Sequence, residues 1–339
     1  MSWHRPLRLG CLGCGGMARI HMESLRYVPE LVPYAYADVH LPAAERFRAE
    51  FGGAYASADP YAVIADPAVD AVLICTWHDA HRPLAEASLA AGKPAFVEKP
   101  LALTVEDCLA VERTAARTGV PLMVGFKFRL APMIAAARQA VPTPLLTVGQ
   151  IADQRWPDAS WAQQPITGGA NVLSQGVHAF DLVRFLHGRD PVRLWAAGGA
   201  LTHPGSPLVD VAAVTLAFAD GSAADVIVHD AGPAPVTSKF FFELFAGDVT
   251  ATLHERCHTL TLARGDEVVV LRAAEGDEDA RLSPEGTFQE MRAFACLARD
   301  GRADPGVPSA RDGTWATLIA TAAIAAITTG QPQELALPT

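Results

Sequence analysis

Two kinds of apolar spacing divide this chain. Over roughly the first 125 residues, short apolar runs alternate with amphipathic stretches. Leu7–Leu12 and residues 32–37, 71–76, 95–98 and 121–126 read as strands. Residues 42–51, 81–91 and a stretch capped at Thr104 and closed by Gly119 read as helices. Asp59-Pro60 opens a further short helix, the acid as cap and the proline at its first position. The run AVLICT at 71–76 has no polar face, which suits a parallel strand covered on both sides. Strand and helix in alternation predict a doubly wound parallel sheet.

From about Thr147 the period changes to two. Val211–Phe218 and residues 224–228, 240–245 and 268–271 alternate apolar and polar positions, and Asp220-Gly221 and Gly265-Asp266 mark turns between them. Helices are expected over 177–186, 286–299 and 311–329, the last Ala-rich and mostly apolar. The fold expected is α/β: a dinucleotide-binding (Rossmann) domain over 1–126, then an α+β domain over 127–339 with an open-faced, largely antiparallel sheet. The C-terminal helix is placed to cross back to the first domain.

At 339 residues, half of them hydrophobic and 19% charged, the chain has material for two cores. Its formal charge of −10 argues against nucleic acid and acidic membrane surfaces as partners. There is no spanning-length apolar run and no secretion signal, so a cytoplasmic protein is expected. Six scattered cysteines fit a reducing compartment. Cys11 and Cys14 form C-x-x-C, but Cys11 lies in the first strand and Cys14 inside a glycine turn, with no second pair to complete a zinc site.

That turn carries the first chemistry. Leu7–Leu12 runs into Gly13, Gly15 and Ala18, spaced G-x-G-x-x-A, and a helix pattern begins at once. Gly13 permits the tight turn, Gly15 removes a side chain that would block a pyrophosphate, and Ala18 lets helix and strand approach. Cys14, Gly16 and Met17 complete the loop, whose amides and positive helix end would face two phosphates. Asp38 lies 20 residues beyond Ala18 at the end of the second strand. Its carboxylate can accept from both ribose hydroxyls and would repel a 2′-phosphate, by on the order of 4 kcal/mol at about 4 Å near a protein surface. NAD is therefore expected over NADP.

Two further stretches hold candidate catalytic groups. Thr76 and Glu98-Lys99-Pro100 end strands of the doubly wound sheet, at the edge where cofactors bind. An ammonium at Lys99 can hydrogen-bond a substrate hydroxyl or stabilise a developing alkoxide. In GGANVLSQGVHAFDLVRFL, residues 168–186, His178 and Asp181 sit three apart at a helix start. A neutral His178 could take a hydroxyl proton as hydride leaves the same carbon. Pattern alone leaves two bland alternatives open: Lys99 as a solvated loop residue, His178 as a cap or core histidine.

The four motifs GCGGMA at 13–18, Thr76 with His81, AGK…EKP at 91–100 and GG…G-x-H-x-x-D ending at Asp181 together resemble the Gfo/Idh/MocA family, named for glucose–fructose oxidoreductase and inositol 2-dehydrogenase. The resemblance implies a Rossmann domain with an open-faced sheet domain and a bound nicotinamide cofactor. It implies sugar, polyol or inositol substrates, and a homodimer or homotetramer built on the sheet faces. It gives Lys99 and His178 the catalytic roles, and a cofactor site of Gly13, Cys14, Gly15, Gly16, Met17, Ala18, Asp38, Thr76, Trp77, His81, Glu98 and Lys99. Three positions depart from it: Ser174 replaces an acid four residues before the histidine, Trp77 a proline, and Lys127 an asparagine. Trp77 reshapes the nicotinamide pocket, stacks on a sugar face, or belongs to the core. Lys127, Arg129, Trp161, Ser174 and Gln175 join Lys99 and His178 as candidate substrate contacts. An NAD-retaining glycoside hydrolase and a non-catalytic NAD sensor are the rival readings.

One motif reads as a decoy. His254-Glu255-Arg256-Cys257-His258 matches H-E-x-x-H, which needs a helix to bring both rings to one zinc ion. Residues 250–262 read instead as strand, where the rings would stand roughly 13 Å apart at about 3.3 Å per residue. No metal site is expected.

Overall fold

The computed structural model describes residues 5–232, 239–301, 303–304 and 306–338. The elements run β1 (Leu7–Leu12), α1 (Gly16–Ser24), β2 (Leu31–Ala37), α2 (Leu41–Phe51), β3 (Tyr55–Ser57), α3 (Pro60–Ala65), β4 (Ala71–Ile74), α4 (His81–Ala90), β5 (Ala95–Val97), α5 (Val105–Thr118) and β6 (Leu122–Val124). They continue with α6 (Pro132–Ala140), β7 (Leu146–Ala152), α7 (Val177–His187), β8 (Pro191–Gly199), β9 (Val211–Phe218), β10 (Ala223–His229), β11 (Phe240–Ala246), β12 (Val249–His254), β13 (Thr259–Arg264) and β14 (Glu267–Arg272). α8 (Glu278–Leu282), α9 (Thr287–Asp300), α10 (Ala310–Thr329) and β15 (Gln333–Glu334) complete the chain.

The chain forms two compact units. The first holds residues 1–102, 106–126 and 287–314; the second holds 103–105, 127–286 and 315–339. The handover at Phe126/Lys127 falls where the strand-and-helix alternation of the first 125 residues ends, before the period-two pattern begins near Thr147. The return of 287–314 to the first unit does not follow from a simple N-terminal and C-terminal division.

The first unit is a six-stranded parallel sheet in the order β3-β2-β1-β4-β5-β6. Strand order reverses between β1 and β4, so the carboxyl ends of those two strands flank the crevice of a doubly wound sheet. All four residues of β4 are fully buried, as its unbroken apolar run requires. Asp59 caps α3 by accepting from the Tyr61 amide, with Pro60 at the first helical position.

The second unit is built on a nine-stranded sheet, β14-β13-β12-β11-β7-β10-β9-β8-β15. It is mixed: β7 and β10 pair in parallel, and the remaining pairs are antiparallel. Pairing aligns Trp195, Thr215, Asp225, Val148, Glu243, Thr252, Thr261 and Val270 across eight strands on one face. Their neighbours Leu194, Leu216, Ala224, Thr147, Leu244 and Ala251 are buried on the other face, which α6 and α7 cover. The alternation seen in the sequence is this two-faced burial.

The strand reading of residues 250–262 needs correction. β12 stops at His254 and β13 starts at Thr259, with Glu255, Arg256 and Cys257 all at positive φ. The segment is a hairpin, so no single strand carries the two histidines. His254 reaches the Thr261 hydroxyl (3.4 Å), and His258 lies 3.8 Å from Glu285.

Candidate active site

In the first unit the chain leaves β1 through Gly13 at φ +87°, and a Cβ there would stand 2.5 Å from the Cys75 carbonyl oxygen. Only glycine fits so close a strand exit. A Cβ on Gly15 or Gly16 would meet nothing within 4 Å, so the loop keeps open space where a pyrophosphate needs it. Ala18 is fully buried in α1. Asp38 follows β2 directly. One of its oxygens accepts from the Cys14 amide (2.8 Å) and the other from the His40 amide (2.8 Å). These two bonds fix the carboxylate beside the glycine turn with lone pairs remaining for ribose hydroxyls. Turn and acid together fit a dinucleotide.

Thr76, Trp77 and Lys99 follow β4 and β5 at the same edge. Trp77 is 52% exposed, so the core alternative for it is excluded. His81 is buried, with Nδ1 2.7 Å from the Pro100 carbonyl and Nε2 3.2 Å from that of Thr76. The ring joins the loops after β4 and β5. Burial lowers its pKa against the raising effect of those two carbonyls.

Glu98 turns inward. Its Oε1 accepts from Nε2 of His21 on α1 (2.8 Å) and its Oε2 from the Lys99 amide (3.0 Å). Burial pushes this carboxyl up, but the bond and charge of His21, with Lys99, outweigh it and hold the pKa low. Glu290 of α9 completes a buried group, its Oε1 3.7 Å from His21 Nδ1. Glu98 thus sets the Lys99 main chain. His21 and Glu290 escape sequence reasoning, although a histidine one turn after Ala18 on a helix that buries that face was a usable signal.

In the second unit, Ala170 takes φ 60° and Val172–Gly176 forms a π-helical turn leading straight into α7. Such wide turns are uncommon and recur at functional sites. Ser174 is buried in this turn, Gln175 is half-buried, and His178 sits in the first turn of α7. Phe128 meets the His178 ring edge-on at 5.2 Å, and Phe240 stands at 6.4 Å. Aromatic walls of this kind hold an imidazole in place and keep water off it.

Two candidate substrate contacts are engaged by the protein itself. Arg129 clasps Asp181 through two parallel bonds (Nε to Oδ2 2.8 Å, Nη2 to Oδ1 2.5 Å), both residues buried. The second motif's aspartate therefore anchors α7 to the segment after β6. Lys127 donates to Glu285 (2.6 Å), which also takes Arg256 (2.6 Å). Burial pushes Glu285 up, and His258, Lys127 and Arg256 together overcome it, holding the carboxyl well below its usual range. Trp161, in a single 3₁₀ turn, is 39% exposed. Lys99 belongs to the first unit and His178 to the second.

The oxidoreductase family model with an NAD-binding Rossmann fold, GFO_IDH_MocA, matches residues 7–126, and the GFO/IDH/MocA C-terminal domain model matches 143–241. Myo-inositol 2-dehydrogenase of Thermotoga maritima is 30% identical over 223 residues, 64% of this chain and 66% of that protein. The scyllo-inositol 2-dehydrogenase (NAD(+)) of Bacillus subtilis is 30% identical over 236 residues, 67% of this chain and 68% of that protein. The matched stretch thus spans about two thirds of each relative. The crystal structure of an oxidoreductase domain protein from Kribbella flavida shares the fold, with a TM-score of 0.88 and 21% identity over 99% of this chain and all of that one.

Proposed function

The chain belongs to the Gfo/Idh/MocA family of oxidoreductases, and on that premise we propose that it is an NAD-dependent dehydrogenase of a secondary hydroxyl on a cyclic polyol or sugar. The observation that carries the reading is the first unit's edge. Gly13, the open space at Gly15 and the amide-anchored Asp38 form a dinucleotide cradle, and the Lys99 loop ends the strand beside β4. Similarity to the two inositol dehydrogenases supports the substrate class.

NAD, when bound, supplies the hydride acceptor. Gly13, Cys14, Gly15, Gly16, Met17 and Ala18 would hold its phosphates and Asp38 its adenosine ribose. Lys99 donates to the reacting alcohol oxygen and stabilises charge as it develops there. His178, neutral, takes the hydroxyl proton, so that alcohol carbon and oxygen lose one hydride and one proton and become a carbonyl. Ser174 can hydrogen-bond substrate or water but offers no charge to an imidazolium. Glu98 and His81 fix the Lys99-Pro100 segment rather than meeting cofactor directly.

We extend the reading to self-association on the open sheet face, as homodimer or homotetramer. Trp195, Ile227 and the strand β14, with Val268 62% exposed, leave apolar surface there.

The test is cofactor absorbance with a panel of inositols and sugars. Lys99→Ala should lower turnover at least about a hundredfold while calorimetry still finds NADH bound. Unaltered turnover in this variant would defeat the assignment. Tight NADH binding with no turnover across the panel would favour a sensor instead.

A further inference from the structure

The two sheets end in the strands β3, β6, β14 and β15, and three of these edges are blunted. β3 has three residues, and β15 has two, Gln333 and Glu334. The outer side of β6 is occupied, its Val124 amide donating to the Pro308 carbonyl (2.9–3.0 Å range, 3.0 Å).

β14 is different. It runs for six residues, Glu-Val-Val-Val-Leu-Arg, and every one is exposed. It pairs with β13 without a bulge and carries no proline and no lysine, the devices that ordinarily keep an edge from pairing. Among the described residues no strand pairs with its outer side. Val268, Val269, Val270 and Leu271 give it apolar side chains on both faces. Val268 and Val270 stand on the open face. Val269 and Leu271 stand on the side of α6, which packs on β12 and β13. Packing of open faces would cover the first two and leave the other two in water.

The main chain fixes how a partner strand meets this edge. The Ala273 amide donates to the His258 carbonyl (2.8 Å), one step beyond the pairing of Arg272 with Thr259. Direction alternates along an antiparallel ladder, so Glu267, Val269 and Leu271 turn their amides and carbonyls to β13, while Val268, Val270 and Arg272 turn theirs outward. A second β14 laid antiparallel along this side must set outward residues opposite outward residues. Centring the pair on Val269 does so. Val268 then faces Val270, Val269 faces its own counterpart, and Asp266 faces Arg272, so acid meets guanidinium at both ends of an apolar middle. Centring on Val270 would instead set Arg272 against Val268 and leave the acids unmatched. Within its own chain Arg272 reaches Glu275 at 3.5 Å with both side chains exposed, which leaves its charge open to a partner.

We propose that β14 pairs antiparallel with β14 of a second copy of this chain, about a two-fold axis at Val269, joining two nine-stranded sheets into one. This contact uses the strand edge and is separate from the open-face association above. Edge and face together would build a tetramer from two kinds of dimer.

The test uses the full chain in analytical ultracentrifugation. The wild type should sediment as an even-numbered assembly. Val269→Lys should raise the dissociation constant of the edge contact at least about tenfold, because two ammonium groups would meet on the axis. Asp266→Arg should weaken the contact as well, and combining it with Arg272→Asp should restore it, which a folding defect would not allow. In a Cys296→Ser background, which removes an exposed thiol, Val269→Cys should form a disulfide between copies under mild oxidation. Facing residues of this non-bonded kind have Cα atoms about 4.5 Å apart. Val270→Cys, which faces Val268, should not cross-link. Trp195→Glu, on the open face, should leave the Val269→Cys disulfide in place, so the face and edge associations fail separately. The proposal is overturned if the wild type is monomeric or if Val269→Lys leaves sedimentation unchanged. It is equally overturned if the charge swap does not restore the contact, or if Val270→Cys cross-links as readily as Val269→Cys.

Discussion

The glycine turn of the first unit and the π-turn before His178 in the second are both irregular helix entries, built by opposite means. In the first, the main chain does the work. Gly13 needs the left-handed region and a Cβ-free approach to Cys75, and the ligand-facing positions carry almost no side chain. In the second, side chains from distant segments do it. His178 is walled by Phe128 and Phe240, and its helix is pinned by Arg129 to Asp181. A backbone cradle tolerates any substrate chemistry downstream, because it recognises only phosphates and ribose. A side-chain pocket fixes one reactive group and can be retuned by single substitutions such as serine for acid at 174. The largest effects should therefore divide cleanly, stability in one region and cofactor affinity in the other.

Arg129→Ala should be the most damaging change. It removes the two-bond partner of the Asp181 carboxylate, 2% exposed, and breaking one partner out of a buried pair costs about 3–5 kcal/mol. Denaturant unfolding should show the loss. If the variant is as stable as the parent, Asp181 is not held by this pair and the assembly of the second turn is misread.

Gly13→Ala tests the opposite region. The left-handed φ and the contact with the Cys75 carbonyl together should cost roughly 3 kcal/mol, or on the order of a hundredfold in NADH affinity. Calorimetry measures it directly. Unchanged affinity would mean that the turn does not need the close approach seen in the structure.

What the sequence disclosed follows the same division. The G-x-G-x-x-A turn, Asp38 and the Asp59-Pro60 cap were legible because each is encoded within a few consecutive residues. The period-two strands were legible because each has one buried and one open face. The π-turn before α7 was not, since nothing in VLSQG distinguishes it from an ordinary helical entry. The hairpin at Glu255–Cys257 is not legible in the sequence because three successive non-glycine residues take positive φ, against local preference. The inward turn of Glu98 onto His21 and the return of α9 depend on contacts many residues apart. For Arg129 and Lys127 the sequence shows the charge but not the carboxylates, Asp181 and Glu285, that pair with them.

The far end of α7 offers a smaller test of the second region. His187 donates to or accepts from Thr147 Oγ1 at 3.0 Å and stacks on Phe218 with ring centroids 4.1 Å apart. Burial, with a lesser effect of the Arg189 charge, lowers its pKa from 6.5 to about 4. The folded state thus holds this ring neutral where the unfolded chain would protonate it. The contribution to stability is complete above pH 6.5 and is lost as pH falls toward 4, by at most about 3 kcal/mol. His187→Phe keeps the stack and removes the titration, so its thermal midpoint should vary less over that window. An identical pH slope in both proteins would assign the acid sensitivity elsewhere.

Ser174→Asp should have the most specific effect on chemistry. The side chain sits four residues before His178 in the π-turn, where a carboxylate could stabilise an imidazolium by charge. An opposite charge within about 4–6 Å raises a histidine pKa by roughly one unit or more. Since the neutral ring takes the proton, the rising limb of kcat/KM against pH should move upward by about one unit. Below that limb the variant should be slower than the parent. Above it the stronger base should make it equal or faster. NADH affinity should not change, because the cradle lies in the other unit and owes nothing to residue 174. A profile that stays in place while turnover persists would show that His178 is not the group whose ionisation governs the rate. A shift in the profile together with a loss of NADH affinity would break the division between the two regions.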